Sequence, residues 1–180
     1  VDSAIDIAPD WQRIAPFPPV PPAGKIAFSS ARNGARQVYV MNANGWSQTQ
    51  LTQLFSYDSE PTWSPDRSLL AFVSARDGNG EIYRMNADGT GQTRLTNNNP
   101  AIEDNPAWSP SGALIAFQSD RDFNQEIYVM NADGTAQTRL TNNPDRDENP
   151  AWSPDGTRIA FSSNRDLGCN QIYVMNANGT

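Results

Sequence analysis

Histidine is missing from this sequence of 180 residues, and cysteine occurs only once, as Cys169. Without histidine, the chain lacks the commonest general base and the commonest metal-binding side chain of proteins. A lone cysteine cannot form an internal disulfide, and we interpret it as an inert surface thiol. The sequence also has no GxSxG nucleophile elbow and no phosphate-binding loop. We therefore expect neither enzymatic activity nor a required cofactor.

Positive charge and long apolar runs are also scarce. The 13 lysine and arginine residues are outnumbered by 20 acidic residues, which gives a net charge of −7. Nucleic-acid binding needs a basic surface, so we expect no nucleic-acid partner. No apolar run approaches the roughly 18 residues that a membrane-spanning helix needs, and no segment has sustained helical periodicity. The length is typical of one domain, here residues 1–180.

Repetition is what this sequence has in abundance. The apolar triplet IAF or LAF recurs at residues 26, 70, 115 and 159, in steps of 44, 45 and 44 residues. The segment VYVMNANG at residue 38 recurs with small changes at residues 82, 127 and 172. Four units of this period account for nearly the whole chain. They lie near residues 17–53, 61–97, 106–142 and 150–180.

Each unit is predicted to contain four short strands, named here A (PAWS), B (IAFSS), C (IYVMN) and D (QTRLT). The strands are rich in aromatic and β-branched residues. Ser-Pro-Asp-Gly joins A to B, and Asn-Ala-Asp-Gly or Asn-Ala-Asn-Gly joins C to D. Asp-Gly and Asn-Gly favour tight hairpins. Four-stranded antiparallel units at this period indicate an all-β protein, a β-propeller with four repeats in this chain.

The pattern N-P-x-W-S-P-D-G-x-x-I-A-F-x-S-x-R-D, followed by I-Y-V-M-N-A-D-G-T and R-L-T, resembles the WD40-like (PD40) repeat of TolB-type β-propellers. The resemblance covers residues 26–180, and the Gly-His and Trp-Asp pairs of true WD40 repeats are absent. It implies a non-catalytic scaffold that docks a protein or peptide partner in the bacterial cell envelope. It also implies a periplasmic or secreted location.

Two other interpretations remain open. Some propellers of this kind are non-catalytic domains attached to peptidases, so the chain is alternatively a domain or fragment of a larger peptidase-like enzyme. Trp63, Trp108 and Trp152 recur at one position of strand A. We expect these side chains to pack between blades, but aromatic rings also form platforms for sugars. A sugar-binding module is therefore the other alternative.

Closure of the ring is a separate question. The last unit has no strand D, whereas residues 9–15 resemble one. We expect this N-terminal arm to supply the outer strand of a last blade, which removes an exposed sheet edge. TolB-type propellers usually have six or more blades, so three assemblies are open. They are a closed four-bladed ring, a homodimer through N-terminal strand exchange, which we favour, and a fragment of a longer propeller.

The lengths of the joints distinguish the two faces of the propeller. The A–B and C–D joints have constant length, whereas the B–C and D–A joints vary by one residue. Insertions are therefore confined to the face with the B–C and D–A loops, where we expect binding. The candidate partner-binding residues are charged residues at matched positions of the B–C loops: Arg32, Arg76, Arg121, Arg165, Asp77, Asp122 and Asp166.

The D–A loops are expected to place carboxylates near the mouth of the central channel. Oxygen ligands from several blades suit a hard cation, so calcium is an optional cofactor of this site. The alternative is structural, with arginine–carboxylate pairs that stiffen adjacent loops. The candidate cation ligands are Asp58, Glu103, Asp104, Asp147 and Glu148.

Overall fold

Strands and turns make up the described part of the chain, residues 24–53, 56–98, 100–166 and 168–180 of a computed structural model. The strands form four antiparallel sheets, each built from one sequence repeat and called blades 1 to 4 below. Among the described residues there is no helix with the length and apolarity needed to cross a membrane. The all-β fold expected from the sequence is confirmed.

Blades 2 and 3 contain all four strands in the order A-B-C-D. Blade 2 consists of β4 (Asp58–Trp63), β5 (Leu69–Ser74), β6 (Glu81–Asn86) and β7 (Thr93–Arg94), and blade 3 consists of β8 (Glu103–Trp108), β9 (Leu114–Ser119), β10 (Glu126–Asn131) and β11 (Thr138–Arg139).

The first and last blades each contain three described strands. Blade 1 consists of strands B, C and D, namely β1 (Lys25–Ser30), β2 (Gln37–Asn42) and β3 (Thr49–Gln50). Blade 4 consists of strands A, B and C, namely β12 (Asp147–Trp152), β13 (Arg158–Ser163) and β14 (Gln171–Asn176). The predicted N-terminal arm, residues 9–15, lies outside the described residues.

The bounds of strands A and D differ from the sequence-based expectation. Strand A of blade 2 begins at Asp58, three residues before the proline of the PTWS segment, and contains a bulge between Ser59 and Thr62. The sequence pattern missed this start because the bulge interrupts the alternation of inward and outward side chains that marks a strand. Strand D has only two paired residues. The amide of Leu95 still donates to the carbonyl oxygen of Ile82 in strand C at 2.8 Å, and the Leu95 side chain enters the core between blades.

The hydrophobic core lies between blades. Between blades 2 and 3, Val73 and Ile82 of blade 2 meet Phe117 and Met130 of blade 3. Burying one such side chain contributes roughly 1.5–3 kcal/mol, so stacking supplies stability that a single blade lacks. Equivalent clusters join the other neighbours; they contain Val38, Val40, Leu70, Phe72 and Met85 for blades 1 and 2, and Ala116, Ile127, Ile159, Phe161 and Met175 for blades 3 and 4.

The recurring tryptophans pack in these interfaces. Trp108 is 8% exposed and belongs to the cluster between blades 2 and 3, and Trp63 and Trp152 pack against the neighbouring clusters. The indole Nε1 of Trp152 donates a hydrogen bond of 3.1 Å to the carbonyl oxygen of Ala107 in the preceding blade. These contacts give the rings a packing role and leave little of Trp108 to stack on a sugar.

The A–B and C–D turns lie on one side of the sheets, called the hairpin face below. It comprises residues 43–48, 64–68, 87–92, 109–113, 132–137, 153–157 and 177–180. Its turns repeat one design, in which Asp88 accepts hydrogen bonds from the amide and hydroxyl of Thr90 at 3.0 and 2.7 Å. At Gly134, where φ is 89°, a Cβ atom would lie 2.7 Å from the carbonyl oxygen of Leu95 in the preceding blade. This turn needs glycine because the next blade stacks against it.

Candidate functional site

The antiparallel order of the strands places all B–C and D–A connections on the side opposite the hairpin face. We call this side the loop face. Its described parts are residues 31–36, 75–80, 120–125, 164–166 and 168–170 of the B–C loops, and residues 51–53, 56–57, 95–98, 100–102 and 140–146 of the D–A loops. Cys169 is exposed on this face.

Three of the four candidate arginines form ion pairs with the first residue of strand A in their own blade. Arg121 lies 3.2 Å from Glu103, and Arg165 lies 2.7 Å from Asp147. Arg76 lies 3.5 Å from Asp58. The three acidic side chains are fully buried. Asp58, Glu103 and Asp147 were expected in the D–A loops, and this expectation is wrong because each begins a strand.

Burial explains why these carboxylates need the arginines. A buried charge is tolerated only when it is paired and hydrogen-bonded. Arg121 meets this need in a fixed pose, since its Nε donates to the Ser119 hydroxyl at 2.8 Å and its guanidinium lies 4.4 Å from the centre of the Tyr128 ring. Arg32 has the same pose over Tyr39 at 4.6 Å. No carboxylate among the described residues pairs with Arg32.

The candidate aspartates do not pair with the arginines that precede them in the B–C loops; in blades 2 and 3 they bind a tyrosine of strand C and an arginine of strand D. The hydroxyl of Tyr128 donates to Asp122, and Arg139 lies 3.2 Å from the same carboxylate. Arg139 also forms an ion pair of 2.6 Å with the buried carboxylate of Glu126. Burial and Asp122 both raise the pKa of Tyr128. Blade 2 repeats this network with Asp77, Tyr83, Arg94 and Glu81.

Sequence reasoning missed Arg94, Arg139, Glu81 and Glu126 as parts of this network. Their signal was visible, because an arginine precedes Leu-Thr in strand D and a glutamate precedes Ile-Tyr in strand C of the same two blades. Asp166 of blade 4 accepts a hydrogen bond from Tyr173, as its position predicts from the other blades.

Blade 1 has an uncharged version of the same network. Asn33, Gln37 and Gln50 replace the aspartate, glutamate and arginine of blades 2 and 3. The Asn33 amide donates to the Tyr39 hydroxyl at 3.0 Å, and that hydroxyl donates to Gln50 Oε1 at 3.0 Å. All three positions that are charged in blades 2 and 3 are uncharged in blade 1, and the tyrosine hydroxyl is hydrogen-bonded in each of these blades.

One pair of carboxyl groups joins blade 2 to blade 3. Glu81 and Glu103 are both fully buried, and the Oε2 atom of each lacks a donor. A proton shared between the two carboxyl groups would give each of them a hydrogen bond. Burial and the neighbouring Glu81 raise the pKa of Glu103 to about 8. Burial would raise the pKa of Glu81 too, but hydrogen bonds from Thr96, Glu103 and Arg94 outweigh burial and lower it.

The two remaining candidate cation ligands, Asp104 and Glu148, were also expected in the D–A loops, but they lie in strands β8 and β12. Glu148 is 3.9 Å from Arg146. Asp104 has no ion pair within the described residues, and burial, followed by the charges of Glu60 and Asp120, raises its pKa to about 6. In the part of the chain that the structure describes, no three acidic or cysteine side chains are grouped so that they could hold a metal ion.

A cavity of about 660 Å³ opens on the loop face at the corner between blades 2 and 3. It is lined by Pro100 and Ala101 of the D–A loop and by Asp120, Arg121 and Phe123 of the B–C loop. The Phe123 side chain is fully exposed, with a relative accessibility of 104%. Sequence analysis overlooked Phe123, although it stands where blades 1 and 2 have glycine.

Comparison with known proteins identifies the family of this chain. The model of the TolB β-propeller domain (PD40) matches residues 7–105 and 90–180. A protein of Agrobacterium tumefaciens described as a TolB superposes with a TM-score of 0.76 at 29% identity, over 86% of this chain and 58% of its own. TolB of Acinetobacter baumannii superposes with a TM-score of 0.75 at 25% identity, over 87% of this chain and 40% of its own.

An oligogalacturonate lyase of Vibrio parahaemolyticus shares the fold alone, with a TM-score of 0.66 at 14% identity over 87% of this chain and 47% of its own. No curated protein sequence matches the chain. The chain spans 58% and 40% of the lengths of the two TolB structures. Because the two matches of the family model together run from residue 7 to residue 180, the chain belongs to the TolB β-propeller (PD40) family.

Proposed function

We propose that this propeller is a non-catalytic scaffold that docks a protein or peptide on its loop face, in the bacterial envelope. One observation carries the proposal: the departures from repeat symmetry fall on this face. The D–A loops contain 7, 8 and 7 residues and the B–C loops 6, 6, 6 and 7. The A–B turns all contain five residues, and the C–D turns of blades 1 to 3 all contain six. Variable loops on a rigid frame are where recognition usually occurs.

The proposal gives the arginine–carboxylate pairs the role of a frame. Arg76, Arg121 and Arg165 each hold a buried acid at the start of strand A, and backbone hydrogen bonds between neighbouring blades, called the strap below, hold the same strands. In this strap, the amide of Asp147 donates to the Gln125 carbonyl at 2.8 Å, and the amide of Glu103 donates to the Gly80 carbonyl at 2.9 Å. A preorganised surface loses little entropy when a partner binds. Side chains that the frame leaves free are then the ones to contact the partner.

A catalytic role for the buried acids has less support. Glu81 and Glu103 are fully buried, so a substrate does not reach the proton between them. General acid–base catalysis requires the group to lie within hydrogen-bond reach of the reacting atom. The envelope location rests on the resemblance to the two TolB structures above.

The native cysteine allows a direct test of the docking face. Coupling a bulky polyethylene-glycol maleimide to Cys169 is expected to block capture of the partner from an envelope extract, because Cys169 lies on the loop face. The matched control carries the same group on the hairpin face, in a Cys169→Ser, Trp46→Cys variant; Trp46 is 75% exposed. Capture that survives labelling at Cys169, or is lost only by labelling at position 46, contradicts the proposal.

We also propose that two copies pair through the N-terminal arm, residues 9–15. The support is the three-stranded sheet of blade 4, in which β14 is the edge strand of the described sheet. An open edge is a template for another strand. The mass of the protein in solution tests this idea, and a monomer at all concentrations rejects it.

A further inference from the structure

We propose that the corner between blades 2 and 3 on the loop face binds a peptide segment of the partner that carries an apolar side chain next to a lysine or arginine. The apolar side chain packs on Phe123, and the basic one lies beside Asp120, Asp104 and Glu60. This inference rests on the proposed docking function of the loop face and adds the position and chemistry of the bound segment.

Phe123 is the first observation behind this inference. Its φ angle is 84°, in the left-handed region, where the matched residues Gly34 and Gly78 have φ angles of 106° and 108°. A residue with a side chain is strained in this region of φ, and the strain lowers stability relative to glycine at the same position. Phe123 recovers none of it by burial, because the ring is fully exposed. Its large apolar surface is therefore available for a partner, and buried aromatic rings dominate the energetics of many interfaces.

The D–A loop opposite Phe123 is the second observation. Residues 95–102 form the D–A loop that is one residue longer than the other two. Pro100 and Ala101 of this longer loop line the cavity together with Phe123. Both departures from the repeat thus occur at one corner. The cavity of about 660 Å³ has the size of typical ligand pockets, roughly 300–1,000 Å³.

Hydrogen bonds from both neighbouring blades hold this loop in place. The side-chain amide of Asn79 in blade 2 donates a hydrogen bond to the backbone carbonyl of Ala101. Asp120 of blade 3 accepts a hydrogen bond of 2.7 Å from the backbone amide of Ile102, and its carbonyl accepts one of 3.0 Å from the amide of Phe123. The two walls of the cavity are therefore fixed before a partner arrives, which favours affinity.

The charges around the corner select the chemistry of the partner. Asp120 lines the cavity, and burial, followed by the charges of Glu60 and Asp120, raises the pKa of Asp104. None of the three is ion-paired within the described residues, and Arg121 is held 3.2 Å from Glu103. A cationic side chain would relieve this repulsion, whereas an acidic one would increase it. The net charge of −7 acts in the same direction at long range.

A library of random linear peptides, displayed on phage and selected on the full chain, tests the inference. We expect enriched peptides to place an aromatic or aliphatic residue within a few positions of lysine or arginine. Phe123→Gly is expected to weaken the binding of a selected peptide at least tenfold and to leave the melting temperature unchanged or raised, because glycine relaxes the backbone. Asp120→Asn keeps the acceptor for Ile102 and is expected to weaken binding about threefold, with a smaller dependence on salt.

Trp46→Gly on the hairpin face is the matched control, since it also removes an exposed aromatic ring. It is expected to leave binding unchanged. Enrichment of acidic peptides, or selected peptides that bind Phe123→Gly as tightly as the wild type, overturns the inference. If such peptides are still displaced by labelling Cys169, the loop face remains the docking face and only this corner is rejected. If labelling Cys169 has no effect either, the proposed function fails as well.

Discussion

Glu81 of blade 2 and Glu103 of blade 3 are buried carboxyl groups that interact across the contact between these blades. The pKa of Glu103 is raised from 4.5 to about 8 by burial and by Glu81. A raised pKa means that the folded state holds the proton more tightly than the unfolded state. The contribution of Glu103 to stability is therefore complete below pH 4.5 and is lost as the pH rises through about 8.

The Glu103→Gln variant tests how much of the pH dependence of stability comes from Glu103. Glutamine keeps an acceptor for Ser119 and Arg121, replaces the proton by an amide donor towards Glu81, and does not titrate. We expect the variant to match the wild type near pH 5 and to exceed its free energy of unfolding near pH 8.5, as measured by urea unfolding. Glu126→Gln in blade 3 is the control, because it removes the partner of Arg139 and is expected to lower stability at every pH. Parallel pH profiles of wild type and Glu103→Gln contradict the shared proton.

At the scale of single residues, the sequence indicated which kinds of contact occur, but it did not indicate which residues make them. Matched arginines and acids suggested ion pairs, and the structure contains such pairs. The partners depended on the bulge in strand A, which turns Asp58 and Glu103 from loop residues into buried strand residues. Phe123 was visible as a departure from glycine, but its meaning depends on Pro100 and Ala101, which lie more than 20 positions away in the sequence.

At the scale of the element, strand C and its two neighbours form a network that exists in a charged and an uncharged form. In blade 3, Arg139 links Asp122 to the buried Glu126. In blade 1, Asn33, Gln37 and Gln50 occupy the same three positions. In both blades a threonine hydroxyl accepts the strand C amide, at 2.8 Å for Thr141 and 3.0 Å for Thr52. The hydrogen-bonding frame is therefore the same with and without charge.

This equivalence predicts a non-additive mutant series in blade 3. Arg139→Gln alone leaves Glu126 buried without its cation and is expected to cost about 2 kcal/mol, the lower end for a buried pair because Arg139 is partly exposed. The triple variant Asp122→Asn, Glu126→Gln, Arg139→Gln copies blade 1 and is expected to lie within about 1 kcal/mol of the wild type. Urea unfolding of both variants measures the difference. A triple variant less stable than the single one would show that the charges themselves hold the blade.

Strands B and C lie where the apolar pattern predicts them, because both are flanked by turns with clear Gly and Asp signals. Strand D was predicted to span QTRLT, and only two residues pair. The leucine of that segment serves both purposes: the Leu95 amide donates to the Ile82 carbonyl of strand C at 2.8 Å, and its side chain enters the core between blades. The ladder ends because the Thr96 hydroxyl, at 2.8 Å, accepts the hydrogen bond of the Ile82 amide, which local sequence does not reveal.

At the scale of the whole molecule, the end blades have apolar surface that the inner blades cover. Ile172 on β14 is 74% exposed, whereas the matched Ile82 and Ile127 are fully buried. At the other end, Ile26 on β1 is 42% exposed, whereas the matched Leu70 is fully buried. The repeat specifies how one blade contacts the next, but not how many blades complete the ring. Sequence alone therefore predicted the propeller and left its closure open.

Substitution at matched positions measures whether the outer face of blade 4 is covered in solution. Ile127→Thr places a hydroxyl in the core between blades 3 and 4 and is expected to cost about 2–4 kcal/mol. Ile172→Thr makes the same change on the exposed face, and we expect a cost below about 0.5 kcal/mol and an unchanged sedimenting mass. Urea unfolding and sedimentation at several concentrations give the two quantities. If Ile172→Thr costs as much as Ile127→Thr, another blade covers this face, and a fall in sedimenting mass on mutation would identify a second copy as its source.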